Sequence, residues 1–161
     1  MILMTLMIVG CSDDQTDVPD DMMMTGDDPF ENAVIWTGSE ITFTLENNSD
    51  ITDSANQDRL SDNVIITRGA DGGQIFNIAT EAEANQTVSP AGTEWAEGRT
   101  NDLANLTFAP FRAAVGEPQN VVGKDLVLHL IEDDIYLNVS FTSWTMGRNS
   151  GGGFSYMRAT P

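Results

Sequence analysis

Oxygen-bearing side chains crowd one polar stretch of the chain, and oxygen atoms are the ligands that Ca²⁺ takes in proteins. The stretch covers residues 46–63, and its candidate ligands are Asp50, Asp53, Asn56, Asp58 and Asp62. Their spacing does not match an EF-hand loop, which needs a Gly and a terminal Glu at set positions. A calcium site is therefore one hypothesis, and the other is a solvated loop whose Asp and Asn side chains form local turn hydrogen bonds.

A second set of side chains is suited to binding a sugar. Apolar and polar residues alternate over the eight residues 135–142, which predicts a strand with one face in a core and one in water. Its outward face would carry Tyr136, Asn138, Ser140, Thr142 and Trp144. Aromatic rings stack on apolar sugar faces, and amides and hydroxyls bond to sugar hydroxyls. The candidate ligand-binding residues are Tyr136, Asn138, Thr142 and Trp144, with Tyr156 added from a later strand. The alternative is that a second sheet or a loop covers this face.

The residue types needed for catalysis do not form a convincing set. His129 is the single histidine, and a G-x-S-x-G motif is absent from the sequence. A structural, hydrogen-bonded histidine is therefore favoured over a catalytic one. Glu132, Asp133 and Asp134 are adjacent, whereas glycosidase carboxylates face each other across a sugar at about 5 to 10 Å. We predict that these acids form a turn, and we assign no catalytic residue.

The elements that must position these groups are predicted to be strands. Two apolar runs flank the acidic tripeptide at 132–134, which indicates a β-hairpin over residues 126–144. Further strands are predicted at Ala33–Trp36, Ile41–Leu45, Val64–Thr67 and Gln74–Ala79, and a last one begins at Phe154. The predicted fold class is all-β, an antiparallel β-sandwich or jelly-roll-like domain with at most one short helix.

The local structure of three segments between the strands can also be predicted. Pro110 and Gly116 are suited to begin and end a short helix over Phe111–Val115. Residues Asp102–Phe108 are predicted to form a weak strand or a helical turn. Residues Gly147–Gly153 are predicted to form a flexible loop.

Composition excludes several classes of function. The formal net charge is -18, from 25 acidic and 7 basic residues, so the chain is poorly suited to binding a phosphate backbone. We therefore expect no nucleic-acid partner. Cys11 is the single cysteine, which excludes an intrachain disulfide framework and a cysteine-clustered zinc site.

The N-terminal residues indicate export and lipid attachment. Residues 1–10 are apolar and too short to span a bilayer, which takes about 20 residues in a helix, but they fit a secretory signal. The tetrapeptide Ile8-Val9-Gly10-Cys11 resembles the lipobox of bacterial lipoproteins, and the resemblance implies lipidation of Cys11. Because no Lys or Arg precedes Cys11, the signal peptide is expected to be truncated at its N-terminus.

Residues 11–31 are predicted to form an acidic, disordered tether, followed by a single domain over 32–161. Ser12-Asp13-Asp14-Gln15 resembles the acidic surface-export signal of Bacteroidota lipoproteins, which implies an outer-membrane lipoprotein facing the extracellular side. A generic acidic tether is the alternative.

Four stretches of the domain resemble a group of secreted and surface proteins from marine Bacteroidota and related bacteria. They are residues 56–69, 89–95, 121–144 and 151–161. The resemblance implies an extracellular module, and it carries no established activity, so no catalytic residues follow from it.

These features favour a non-catalytic binding or adhesion module on the cell surface, with glycans as the candidate ligand. Expected partners are the membrane, through the lipid anchor, and an extracellular polysaccharide or another surface protein. A hydrolase that uses acidic-loop residues and a purely structural envelope component are the alternatives. Calcium is the candidate cofactor.

Overall fold

Strands follow most of the apolar runs of the sequence in a computed structural model, which describes residues 30–161. The strands of this part are β1 (Val34–Ile35), β2 (Ile41–Leu45), β3 (Asp58–Arg59), β4 (Ile65–Thr67), β5 (Phe76–Asn77), β6 (Thr93–Glu97), β7 (Asp125–Leu130), β8 (Ile135–Trp144) and β9 (Phe154–Arg158). They are accompanied by one α-helix, α1 (Phe111–Val115), and by 3₁₀ helices at Ser54–Asn56, Thr100–Asn105 and Pro118–Asn120. Within residues 30–161, no helix has the length and apolar character needed to cross a membrane.

The strands are arranged in two sheets. The larger sheet has the order β2-β9-β8-β7-β6, and the smaller has the order β3-β4-β5. Neighbouring strands are antiparallel, except that β1 lies parallel to the beginning of β8, with Val34 opposite Ile135. The predicted all-β fold with one short helix is confirmed, and α1 has the predicted bounds.

The β7–β8 hairpin forms the centre of the larger sheet, and its side chains alternate as the sequence predicts. The inward set of β8 contains Leu137, Val139 and Phe141, all nearly inaccessible to solvent. The acidic residues 132–134 lie in the turn, where Asp134 has a φ of 48°, in the left-handed region that Asp tolerates better than most residues.

The core lies between the two sheets. Apolar side chains from both belong to one buried cluster, including Leu60, Val64 and Ile66 from the region of the smaller sheet and Leu128, Leu137 and Phe141 from the larger. Because each sheet covers the apolar face of the other, the two sheets form a two-layer sandwich.

A buried ion pair also joins the sheets. Arg158 of β9 donates from Nε and Nη2 to the two carboxylate oxygens of Asp58 of β3, both at 2.7 Å. The Tyr156 hydroxyl donates to the same carboxylate at 2.7 Å. Burial raises the pKa of Tyr156 well above its ordinary value, and the charge of Asp58 adds to this shift. Burial alone would lower the pKa of Arg158, but the hydrogen bond and charge of Asp58 outweigh it and raise that pKa.

A second, smaller cluster covers part of the outer face of the larger sheet. Tyr136 and Val127 are buried there with Leu103, which belongs to the 3₁₀ helix Thr100–Asn105. Phe30 and Phe108 pack edge-on against Tyr136, with ring centroids 5.6 and 5.7 Å away. The stretch predicted as a weak strand or helical turn at Asp102–Phe108 is therefore helical over its first residues, and it covers the sheet.

A β-bulge changes the alternation near the end of β8. Phe141 is opposite Tyr156 in β9, but Ser143 is opposite Ser155, so Thr142 is an extra residue in β8. A bulge shifts every following side chain to the other face of the strand. Trp144 consequently packs against the main core instead of pointing away from it.

The glycine-rich segment before β9 packs directly on another part of the backbone. Gly151, Gly152 and Gly153 are buried, and Gly151 N–H donates to the Ala70 carbonyl at 3.0 Å. A Cβ on Gly152 would collide with the Gly69 carbonyl oxygen. Within the loop predicted over Gly147–Gly153, residues 151–153 are therefore packed on the chain near Gly69 and Ala70, and the small size of glycine permits this close backbone approach.

Candidate functional site

A cleft of about 690 Å³ opens at one end of the sandwich. Its walls come from the turn between β4 and β5, from α1 and the 3₁₀ helix that follows it, and from the end of β8 with its succeeding loop. Pockets that bind small molecules have volumes of about 300 to 1,000 Å³. The cleft is therefore large enough to hold one or two sugar units or a molecule of similar size.

Arg68 and Trp144 both line the cleft and contact each other. Arg68 is 2% exposed and donates to three backbone carbonyls: Nε to Gly73 at 3.1 Å, Nη1 to Gly153 at 3.1 Å and Nη2 to Thr145 at 3.0 Å. Its Cζ lies 3.9 Å from the centre of the Trp144 ring, in cation–π geometry. Burial lowers the pKa of Arg68 to about 10, so the side chain is still a cation at neutral pH.

Arg112 of α1 is held in the cleft wall by two acceptors. Its Nε donates to Gln74 Oε1 at 3.2 Å, and its Nη1 donates to Glu117 Oε2 at 2.6 Å. Gln74 is itself fixed, because its Nε2 donates to the carbonyls of Asn85 and Ser89 at 2.9 and 2.8 Å. The polar groups of this wall are thus positioned in advance of any ligand.

The predicted binding face of β8 is not one exposed surface. Tyr136 is 6% exposed and Tyr156 is 1% exposed, so both belong to cores, and Trp144 faces the main core because of the bulge. Asn138 is partly buried and bonds to Thr100, accepting from its N–H at 3.0 Å and donating to its hydroxyl at 2.9 Å. Thr142 is exposed as predicted. Tyr136 lies on the outer face of the larger sheet as predicted, but the second cluster covers it, which agrees with the alternative that a loop covers this face. The assignment of Trp144 and Tyr156 to that face is wrong, while Trp144 still lines the cleft.

The acidic loop does not converge on one point. Asp50 accepts from the N–H and hydroxyl of Thr52, and these bonds lower its pKa. Asp53 caps the 3₁₀ helix Ser54–Asn56 by accepting from the Ala55 N–H, and Asp58 is directed into the core toward Arg158. In residues 30–161, no group of three or more His, Cys, Asp or Glu side chains is arranged to hold a metal.

The two remaining candidate calcium ligands are also in local contacts. Asn56 donates its side-chain amide to the Asp50 carbonyl at 2.9 Å, and Asp62 is exposed beside Arg59 at 3.3 Å. The local turn hydrogen bonds agree with the solvated-loop alternative. Calcium binding stays a prediction.

His129 lies in the second cluster and not in the cleft. Its ring stacks on Tyr136 with centroids 4.1 Å apart, and Phe108 packs edge-on at 5.9 Å. Glu94 and Asp134 carboxylate oxygens lie 3.7 and 3.4 Å from Nδ1 and Nε2. The buried Nε2 makes no hydrogen bond to the described residues, so the expected hydrogen-bonded histidine is not found at this atom. Burial, followed by the charge and hydrogen bond of Asp134, raises the pKa of Tyr136 to about 12.

Sequence reasoning missed the arginines of the cleft. Arg68, Arg112 and Arg148 come from three distant parts of the chain, and the fold brings them to one cavity. One signal was present: Arg68 directly follows the apolar run Val64–Thr67 and precedes a glycine-rich turn. Charged side chains are almost never fully buried unless they are paired. A charged residue directly after a fully buried strand therefore indicates a side chain that is held by specific polar partners.

The fold and the cleft define the class as an all-β sandwich domain with a ligand-sized polar cleft at one end of its two sheets. Comparison with known proteins found no matching family model, no similar curated protein and no similar solved structure. Cys11, the candidate lipidation site, lies outside the described residues.

Proposed function

We propose that this protein is a non-catalytic binding module that takes a saccharide in the cleft and is carried on the bacterial outer membrane by a lipid anchor. The observation that supports this most directly is the cleft itself, a cavity of about 690 Å³ lined by preset polar groups and an aromatic ring. Protein sites for small molecules combine such a cavity with a few convergent polar groups.

The polar groups suit a ligand rich in oxygen. Arg112 supplies guanidinium donors and is held in place by Gln74, and the exposed Arg148 supplies a second guanidinium group to the cleft. Trp144 adds apolar area beside them. Sugars present both hydroxyl acceptors and apolar C–H faces, so this mixture of donors and aromatic surface fits them.

The proposed location depends on the N-terminal segment. The lipobox resemblance at residues 8–11 supports acylation of Cys11, and several acyl chains together attach a protein stably to a membrane. Residues 11–29 contain seven acidic residues and no basic one, so charge repulsion would extend this segment up to Phe30, which packs on the domain. An extended tether would hold the domain, and its cleft, away from the lipid surface.

The test uses two tryptophan substitutions at exposed alanines. Ala82 lines the cleft, and Ala104 is exposed in the 3₁₀ helix Thr100–Asn105 outside it. Ala82→Trp should fill the cleft, whereas Ala104→Trp adds the same side chain elsewhere. The purified wild type and both variants would be applied to a glycan array and to affinity electrophoresis in polysaccharide gels.

The wild type and Ala104→Trp should bind the same glycan, and Ala82→Trp should bind it about tenfold more weakly or worse. If the wild type binds no glycan on the array, the saccharide function is overturned. If Ala82→Trp binds as the wild type does, the glycan site lies outside the cleft.

A further inference from the structure

Most of the basic side chains of this acidic protein form ion pairs with carboxylates, but two do not. Of the seven Lys and Arg residues, five form an ion pair with a carboxylate in the described structure: Arg59, Arg99, Arg112, Lys124 and Arg158. The other two, Arg68 and Arg148, have no carboxylate oxygen within 4.0 Å among residues 30–161. Both of them line the same cleft.

Arg68 is the more unusual of the two. An exposed arginine such as Arg148 needs no counter-ion, but Arg68 is 2% exposed and its nitrogens are bonded to neutral carbonyls. The charge of Asp71 acts on Arg68 from beyond 4.0 Å and offsets only part of the effect of burial on its pKa. A buried charge is costly unless a charge of opposite sign compensates it. The cavity beside Arg68 is where such a charge could be placed.

The cleft is also less acidic than the rest of the molecule. Three arginines and three carboxylates line it, the carboxylates belonging to Asp71, Glu83 and Glu117. Glu117 is engaged by Arg112 at 2.6 Å. The chain as a whole carries a net charge of -18. A cleft with equal numbers of positive and negative side chains is therefore less negative than the rest of the protein.

We propose that the cleft recognises an acidic saccharide, one that carries a carboxylate or a sulfate ester, with the exposed Arg148 binding the anionic group and the buried charge of Arg68 attracting it from a longer distance. This inference rests on the proposed saccharide function and names its ligand class. The planar guanidinium fork of Arg148 matches carboxylate and sulfate oxygens in two-point hydrogen bonding, which a neutral sugar hydroxyl cannot reproduce. The cleft carries as many arginines as carboxylates, whereas the rest of this acidic protein would repel the same ligand, which favours its binding in the cleft.

The experiment compares matched pairs of polymers that differ in charge alone. Polygalacturonate is set against its methyl ester, which keeps the backbone and removes the carboxylate charge. Dextran sulfate is set against dextran for the sulfate ester. Affinities would be measured by calorimetry at physiological ionic strength, where the Debye length is about 8 Å and distant carboxylates are screened.

Three Arg→Gln variants complete the design. Arg148→Gln and Arg112→Gln each remove one positive charge from the cleft, while Arg59→Gln removes the same charge from an exposed pair elsewhere. Arg148→Gln is the primary variant, because Arg148 is exposed and its loss leaves the core intact. Melting temperatures would confirm that all variants are folded.

At least one charged polymer should bind about tenfold more tightly than its neutral partner, and Arg148→Gln should weaken that binding about tenfold while Arg59→Gln leaves it unchanged. The pair that shows the difference identifies the anionic group as carboxylate or sulfate. Equal binding of charged and neutral polymers overturns the acidic ligand but leaves the saccharide function standing. Loss of affinity in Arg59→Gln equal to that in Arg148→Gln overturns the cleft as the anion site. Absence of binding to all four polymers, while a neutral glycan binds on the array, also overturns the acidic ligand.

Discussion

Asp58 and Arg158 form a two-point ion pair inside the protein, with both donor–acceptor distances at 2.7 Å and each side chain 7% exposed. They lie 100 positions apart in the sequence and belong to different sheets. The pair therefore joins β3 of the smaller sheet to β9 of the larger sheet at one defined register. The Tyr156 hydroxyl completes the bonding of the carboxylate.

Removing one member of this pair should destabilise the fold strongly. Asp58→Ala leaves the Arg158 charge buried without compensation, and such changes cost about 3 to 5 kcal/mol. Asp62→Ala, which breaks the exposed pair with Arg59, should cost less than about 1 kcal/mol. Urea unfolding measures both free energies. Equal costs in the two variants would contradict a role for the buried pair.

The bulge in β8 places Thr142 in solvent and Trp144, two residues later, against the core. Trp144→Ala removes a ring that packs against Phe111, Phe141 and Phe154, and should cost about 3 kcal/mol. Thr142→Ala removes an exposed side chain and should change stability by less than about 0.5 kcal/mol. Phe141→Ala, on the inward face before the bulge, should cost about 3 to 5 kcal/mol. Thermal or chemical denaturation distinguishes these values, and a neutral Trp144→Ala would place that ring outside the core.

Gly152 and Gly123 provide a matched pair for the close backbone contact. Both have positive φ angles, 69° and 82°, so alanine is strained at either position. A Cβ on Gly123 meets no atom within 4 Å, whereas a Cβ on Gly152 collides with the Gly69 carbonyl. Gly152→Ala should therefore cost about 1 to 3 kcal/mol more than Gly123→Ala in denaturant unfolding. Equal costs would show that glycine is needed at position 152 because of its positive φ and not because of the close contact.

The two tyrosines should resist ionisation in the folded protein. The pKa of Tyr136 is raised to about 12 and that of Tyr156 is raised well above 10.0, chiefly by burial. Because the folded pKa exceeds the unfolded one, the stabilisation is complete below about pH 10 and is lost as the pH rises toward about 12.

Phenolate absorbance measures this directly, since the chain has 2 tyrosines. In urea both should titrate near pH 10, and in the native protein neither should do so until the protein unfolds. A native titration step near pH 10 would contradict the burial of one ring.

The lipid anchor is tested at Cys11. Cys11→Ser in the full-length gene should abolish labelling with a radioactive or alkyne-tagged fatty acid and release the protein from the membrane fraction, because the acylated residue is gone. Ser12→Ala serves as a control that leaves the cysteine in place. A Cys11→Ser protein that still partitions into detergent would contradict the lipoprotein hypothesis.

The sequence by itself determined the elements whose signal is local. The period-two pattern of β8, the turn at 132–134 and the short helix between Pro110 and Gly116 were all predictable, because strand alternation, turn acids and helix-ending glycine act over a few neighbouring residues.

Tertiary structure alone decided which faces and which polar groups matter. The bulge at Thr142 moves Trp144 to the other face of the strand. Because a bulge is defined by the pairing of β8 with β9, the sequence of β8 alone cannot predict it. Asp58 resembles its neighbours in the acidic loop, yet it becomes the buried partner of Arg158 because two sheets meet there. Arg68 and Arg148 lie far apart in the chain, and only packing brings their charges to one cleft, since charge separation is set by distance in space and not in sequence.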